Sequence, residues 1–129
     1  MCLFCEIIEG NIPSKKVYED DKVLAILDIS QMTKGHTLVM PKQHFRNIYD
    51  VDSETLAHLM EVVRKLAIQI TEKTGALGCN IFNNNNEAAG QSVMHLHFHI
   101  IPRYADDGFK LPALSHDYDL DEVLHQLTD

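Results

Sequence analysis

The chain predicts an α+β domain, an antiparallel sheet with helices packed on it, and three observations carry that prediction. Short runs with the period of a β-strand stand before and after one long segment with the period of a helix. The segment "MHLHFHIIPR" alternates imidazole and apolar side chains, and no composition break, repeat or linker divides the 129 residues. That length suits one domain over residues 1–129.

The elements follow in order. A first short helix falls around Phe4 to Glu9. β-like runs come next at Lys16 to Tyr18, Val23 to Leu27 and His36 to Met40. The long helix runs from about Ser53 to Thr74, where Leu56, Leu59, Met60, Val63, Leu66, Ala67 and Ile70 recur every three or four residues. Ser53 is placed as its N-cap and Gly75 as its stop. Its wide apolar stripe packs on the sheet and is broad enough to meet a partner chain as well. Asn80 to Asn83 and His95 to Ile101 supply the last two strands, so the expected sheet is a meander completed by a crossover through the long helix, with the helices collected on one face. "DLDEVLHQL" closes the chain as a short helix, with Asp119 and Glu122 at capping-box spacing.

Composition limits the partners. With 45% hydrophobic and 23% charged residues the chain is that of a globular protein, and its net charge of -8 opposes binding to a nucleic-acid polymer or an anionic membrane surface. A small phosphorylated ligand needs only local donors. The start, "MCLFCEIIEG", lacks the cationic and long apolar regions of a signal peptide, and no run approaches the roughly 20 apolar residues of a membrane span, so a cytoplasmic location is expected. Three cysteines, Cys2, Cys5 and Cys79, then read as reduced thiols or metal ligands rather than a disulfide framework.

His95, His97 and His99 alternate with Leu96, Phe98 and Ile100, so one strand would bury its apolar face and line the imidazoles along the other, over roughly 13 Å at about 3.3 Å per residue. Surface histidines can cluster by chance, but a uniformly apolar opposite face argues for use. Two chemistries fit. Three neutral imidazoles can hold a catalytic metal with one position open to water. Alternatively one imidazole is a nucleophile, best suited to phosphorus, and its neighbours stabilise charge or move protons. The upstream loop "NNNNEAAGQS" favours the second. Ala88, Ala89 and Gly90 allow close backbone approach, the asparagines and Ser92 offer polar groups to phosphate oxygens, and Glu87 is the one carboxylate nearby. Taken alone, the loop is equally well a surface turn.

These residues resemble the histidine triad superfamily, in its Hint-like branch of nucleotide hydrolases and transferases. "GQSVMHLHFHII" is similar to the family signature, and the likeness extends upstream through "FCEIIEGNIPSKKVYEDD", "AILDISQMTKGHTLVMPKQH" and "NNNNEAAGQS" in the family's order. The resemblance implies a five-stranded antiparallel sheet with a long helix, continued as ten strands across a homodimer. It implies cleavage of purine nucleoside 5′-phosphoramidates at the α-phosphorus, with no cofactor for catalysis. His97 would be the nucleophile, supported by His99 and His36, while Ser92 would protonate the leaving amine. Asn84 and Ser92 would contact phosphate oxygens, Gln91 would also bind substrate, Asp28 would hold the ribose hydroxyls, and Phe4, Ile7, Ile12 and Ile26 would form a slot for the base. By periodicity alone those four apolar residues are ordinary core.

"CLFC" is a Cys-x2-Cys pair, which by itself is a weak zinc signal. A branch of the superfamily with this pair resembles the chain in binding structural zinc, which implies Cys2, Cys5, His44 and His95 as ligands and leaves His97 free. The segment 104–129 departs from the short tail of the phosphoramidate-cleaving relatives, which leaves dinucleoside polyphosphate hydrolysis, or AMP binding with little turnover, as rivals. His116 reads as a surface residue.

Overall fold

The structure is a computed structural model, and it describes residues 1–111 and 115–128. Its elements are α1 (Leu3–Ile8), β1 (Lys16–Glu19), β2 (Val23–Leu27), β3 (Thr37–Pro41), α2 (Ser53–Thr74), β4 (Gly78–Phe82), β5 (Phe98–Arg103) and α3 (Leu120–Thr128), with a single 3₁₀ turn at Glu87–Ala89. The five strands form one sheet in the order β1-β2-β3-β5-β4, and every neighbouring pair is antiparallel. This is the expected α+β architecture.

Strand alternation divides the apolar residues between two faces. Val23, Ala25, Val39, Leu96, Phe98 and Ile100 pack with Leu59, Val62, Val63, Leu66 and Ile70 of α2. Leu24, Ile26, Leu38 and Met40 turn the other way and pack with Phe4 and Ile7 of α1. The helices are therefore not collected on one face, because α1 covers the side opposite α2. Each fully buried Leu, Ile or Val contributes about 1.5–3 kcal/mol to holding these layers.

The long helix is capped by Asp52 rather than Ser53. The Asp52 carboxylate accepts a hydrogen bond of 3.0 Å from the Thr55 N–H, which satisfies one of the orphan donors of the first turn. Gly75 ends the helix as expected, with a left-handed φ of 72°. α3 forms where the sequence places it, with Asp119 accepting from the N–H groups of Asp121 and Glu122, and its Leu120, Leu124 and Leu127 are exposed.

The histidine strand is shorter than its alternation suggests. β5 begins at Phe98, so His95 and His97 lie in the segment that leads into it. The ladder to β4 ends at the pair Phe82 and His99, after which the Asn83 side chain, not its backbone, donates to the His97 carbonyl at 3.0 Å. The Leu96 N–H likewise donates to the Phe45 carbonyl of a loop at 2.7 Å. Side-chain alternation outlasts the ladder, since Leu96, Phe98 and Ile100 all enter the α2 core.

Candidate functional site

The β2–β3 hairpin brings two distant residues together. Asp28 follows β2 and His36 precedes β3, and the Asp28 N–H donates to the His36 carbonyl at 3.0 Å. β5 lies beside β3 with His99 opposite Leu38. As a result His36 Nε2 stands 2.9 Å from His99 Nδ1 and 3.5 Å from Asp28 Oδ2. The His97 ring follows, 5.0 Å from the His99 ring between centroids, and the edge of Phe4 closes on His97 at 5.0 Å.

Backbone partners assign each ring its tautomer. His95 Nε2 is 2.8 Å from the Pro41 carbonyl, which can only accept, so Nε2 carries the hydrogen and Nδ1 keeps a lone pair. His97 is the reverse: Nδ1 lies 2.7 Å from the His95 carbonyl, and Nε2 keeps the lone pair. The Met32 N–H donates to His36 Nδ1 at 3.2 Å, so His36 holds its hydrogen on Nε2 and donates to His99 Nδ1. His99 is then left with an Nε2–H donor. Three histidines spaced two residues apart thus offer an acceptor at Nδ1, an acceptor at Nε2 and a donor at Nε2.

Burial keeps the rings neutral. It lowers the pKa of His97 below the ordinary imidazole value, against the opposing pull of the His95 carbonyl. Burial does the same for His95 and His36, opposed by the Pro41 carbonyl in one and by Asp28 in the other. His99 falls furthest, to about 4, through burial and then the neighbouring His97 and His36.

The asparagine loop is mostly self-supporting. Asn85 accepts from the Ile48 N–H and donates to Asn83, and Asn86 accepts from Asn47. Among the described residues, Asn84 and Ser92 have no hydrogen-bond partner for their side chains, and Gly90 leaves only 3.7 Å between a built Cβ and the Asn84 amide. Gln91, expected to bind substrate, has protein partners for its whole side-chain amide. It is buried, donates to the carbonyls of Arg46 and Val93, and accepts from Asn47 and the Asn86 N–H, so its amide is saturated and it shapes the loop. Phe4, Ile7 and Ile26 are buried in the α1-side cluster, and Ile12 packs against it partly buried. Asn83, which fixes the His97 carbonyl, escaped sequence reasoning because four consecutive asparagines look alike.

A second group sits at the N-terminal edge. Cys2, Cys5, His44 and His95 converge, with Sγ to Nδ1 distances of 3.4, 3.4 and 3.6 Å and 3.1 Å between the two Nδ1 atoms. Tetrahedral zinc with bonds of about 2.3 Å to sulfur and 2.0–2.1 Å to nitrogen requires separations near 3.6 and 3.3 Å. The donors fit, and His95 already has its Nε2–H on a carbonyl, the usual outer-shell support of a ligating histidine. Burial and the adjacent Cys2 thiol push the Cys5 thiol up to about 11, a cost that a bound cation reverses. Asp28, His36 and His99 also cluster, but the Met32 N–H occupies His36 Nδ1, so the nitrogen facing His99 is a donor and not a metal ligand. A cleft of about 920 Å³ between Asp20, Lys42 and His58 contains no triad histidine.

Residues 9–106 match the HIT domain, and the chain belongs to that family. It is 56% identical over 109 residues to the Bacillus subtilis protein hit, covering 84% of this chain and 75% of the relative. It is 40% identical over 102 residues to an adenosine 5′-monophosphoramidase of Schizosaccharomyces pombe, covering 79% and 74% of the two chains. An adenylylsulfatase of Arabidopsis thaliana is 40% identical over 106 residues, or 82% of this chain and 54% of that protein. The fold superposes on a Streptococcus mutans structure with a TM-score of 0.91 and 51% identity, over 98% of this chain and 80% of that one. A zinc-bound histidine triad protein of Mycobacterium smegmatis matches at a TM-score of 0.80 and 38% identity, over 98% and 94%.

Proposed function

We propose that the chain hydrolyses purine nucleoside 5′-phosphoramidates through a covalent nucleotidyl intermediate on His97. The observation that carries this reading is the His97 tautomer. With its hydrogen fixed on the His95 carbonyl, Nε2 presents a lone pair from a neutral, buried ring. That nitrogen attacks the α-phosphorus, the bond to the leaving nitrogen breaks, and the Ser92 hydroxyl supplies a proton to the departing amine. Water then attacks the phosphorus, its proton returns to the Ser92 oxygen, and the P–N bond to His97 breaks to release the nucleoside monophosphate and restore both residues. The His99 Nε2–H and the Asn84 amide donate to the non-bridging oxygens as charge develops there. Asp28 accepts from the ribose hydroxyls, and Phe4, Ile7, Ile12 and Ile26 flank the base.

Cys2, Cys5, His44 and His95 would hold structural zinc, which anchors α1 and the Phe4 edge against His97. A homodimer is part of the reading: β4 is a sheet edge, Ile81 on it and Leu77 just before it are exposed, and so are Met60 and Ile68 on α2, apolar groups that a ten-stranded sheet would cover. Thiol ligands suit the reducing cytoplasm, and the net charge of -8 argues against nucleic-acid polymers as partners; among the described residues no helix is long and apolar enough to cross a membrane. The adenylylsulfatase relative supports a second reading of the leaving group, sulfate in place of an amine, with the same nucleophile.

The test is release of AMP from adenosine 5′-phosphoramidate by wild type and His97→Ala, with adenylyl sulfate and diadenosine polyphosphate in parallel. Turnover by wild type alone is expected. Equal rates for the two proteins would refute the nucleophile, and turnover confined to another substrate would reassign the leaving group.

A further inference from the structure

The loop between Asp28 and His36 is closed by the Asp28 N–H on the His36 carbonyl, and one exposed side chain, Gln31, braces it with four more hydrogen bonds. Gln31 Nε2 donates to the carbonyls of Asp28 at 2.6 Å and His36 at 2.7 Å. Its Oε1 accepts from the N–H groups of Gly35 at 2.8 Å and His36 at 3.1 Å. All four amide valences are used, and both sets are backbone, so reversing the amide would set donor against donor and carbonyl against carbonyl. Elsewhere the loop has the Thr33 hydroxyl on the Pro102 carbonyl at 2.6 Å and the Ser30 N–H on Asp28 Oδ1 at 2.8 Å. Neither of these joins the two ends; the Asp28 N–H on the His36 carbonyl at 3.0 Å does, and Gln31 adds side-chain bonds to both of those residues. The next residue, Met32, aims its N–H at His36 Nδ1.

The geometry points to Gln31 as a positioning residue: by clamping the loop it keeps the Met32 N–H on His36 Nδ1, which fixes His36 as donor to His99 and His99 as donor to the phosphoryl oxygens. This rests on the nucleotide-hydrolase reading for its functional consequence. Without the clamp the Met32 N–H drifts, and His36 can place its hydrogen on Nδ1. His99 then receives no hydrogen bond at Nδ1 and is free to carry its own hydrogen there, which turns a lone pair toward the phosphate. The loss falls on the transition state, where the phosphoryl oxygens carry most charge.

The experiment compares zinc-loaded wild type with Gln31→Met, equal in length but without hydrogen bonds, and Gln31→Glu, which keeps the acceptor contacts and loses the donor ones. Long-range proton–nitrogen correlation spectra read the ring tautomers, and steady-state kinetics on adenosine 5′-phosphoramidate read kcat and KM. Wild type is expected to show His36 and His99 both with the hydrogen on Nε2. Gln31→Met is expected to show mixed tautomers at both rings, with kcat down about tenfold and KM within about twofold, and Gln31→Glu to fall between. A His36 hydrogen on Nδ1 in folded wild type overturns the proposal even if neither variant folds, and so does a Gln31→Met protein with wild-type tautomers and kcat. If wild type itself shows no turnover, the hydrolase reading falls, while the spectra still decide whether Gln31 sets the tautomers.

Discussion

His95 and His97 are separated by one residue, yet their surroundings give them opposite chemistry. His95 is fully buried, turns Nε2–H onto a carbonyl of β3 and points Nδ1 at two cysteines and a third ring. His97 turns Nδ1–H onto the carbonyl of His95 and leaves Nε2 open beside Phe4 and His99. Four donors converge around His95, the number a structural metal site requires, whereas His97 Nε2 is outside that group. On the proposed reading, the backbone hydrogen-bond partner, more than the residue type, is what would separate a metal ligand from a nucleophile. The two sites are also joined, because α1 carries Cys5 and Phe4 and is capped by Cys2.

The sharpest way to break the comparison is to remove one histidine and look for damage at the other site. His97→Ala is expected to lower nucleotide turnover by about 10³-fold or more, while zinc content by atomic absorption and the melting temperature stay at wild-type values. Loss of zinc in that variant would show that the sites are one unit. Cys5→Ser tests the converse. It is expected to lose the metal and to drop the melting temperature by about 10 °C or more, and a chelator added to wild type should remove activity only as fast as calorimetry or circular dichroism reports unfolding. Immediate inactivation of folded protein would instead make the metal catalytic.

Smaller effects sharpen the phosphate side. Asn84→Ala, which removes the one asparagine amide of the four without a protein partner, is expected to lower kcat about 10–100-fold in steady-state assays with zinc retained. Asn85→Ala should act on stability instead, since that side chain supports the Ile48 N–H. The smallest effect is on the pH dependence of folding. His99 has a folded pKa of about 4, lowered by burial, so between the ordinary imidazole value near 6.5 and about 4 the unfolded chain binds the extra proton. Its contribution is complete above the unfolded value and is lost as pH falls through that window. Urea titrations of His99→Asn should therefore show a shallower loss of stability on acidification than wild type.

Much of this was legible in the sequence, for identifiable reasons. Strong periodicities placed β2 and α2, and the alternation of apolar and imidazole residues gave the correct faces around the triad. It overstated the strand, because the alternation continues through His95 and His97, where the ladder is replaced by Asn83 and by the Phe45 carbonyl. The cap of α2 shifted by one residue because Asp52 and Ser53 are both good caps, and only the geometry selects the carboxylate. The four hydrogen bonds of Gln91 involve residues as far away in sequence as Arg46 and Asn47, and no local pattern reports them. The tautomers were illegible for the same reason, since Pro41, Met32 and the backbone of His95 are chosen by the fold.

The most direct test of this account is a long-range proton–nitrogen correlation spectrum of the zinc-loaded wild type at neutral pH, with His95 and His97 assigned. The account predicts His95 bound to metal through Nδ1 with its hydrogen on Nε2, and His97 neutral with its hydrogen on Nδ1. A His97 hydrogen on Nε2 would remove the nucleophilic lone pair, and with it the division between the two histidines.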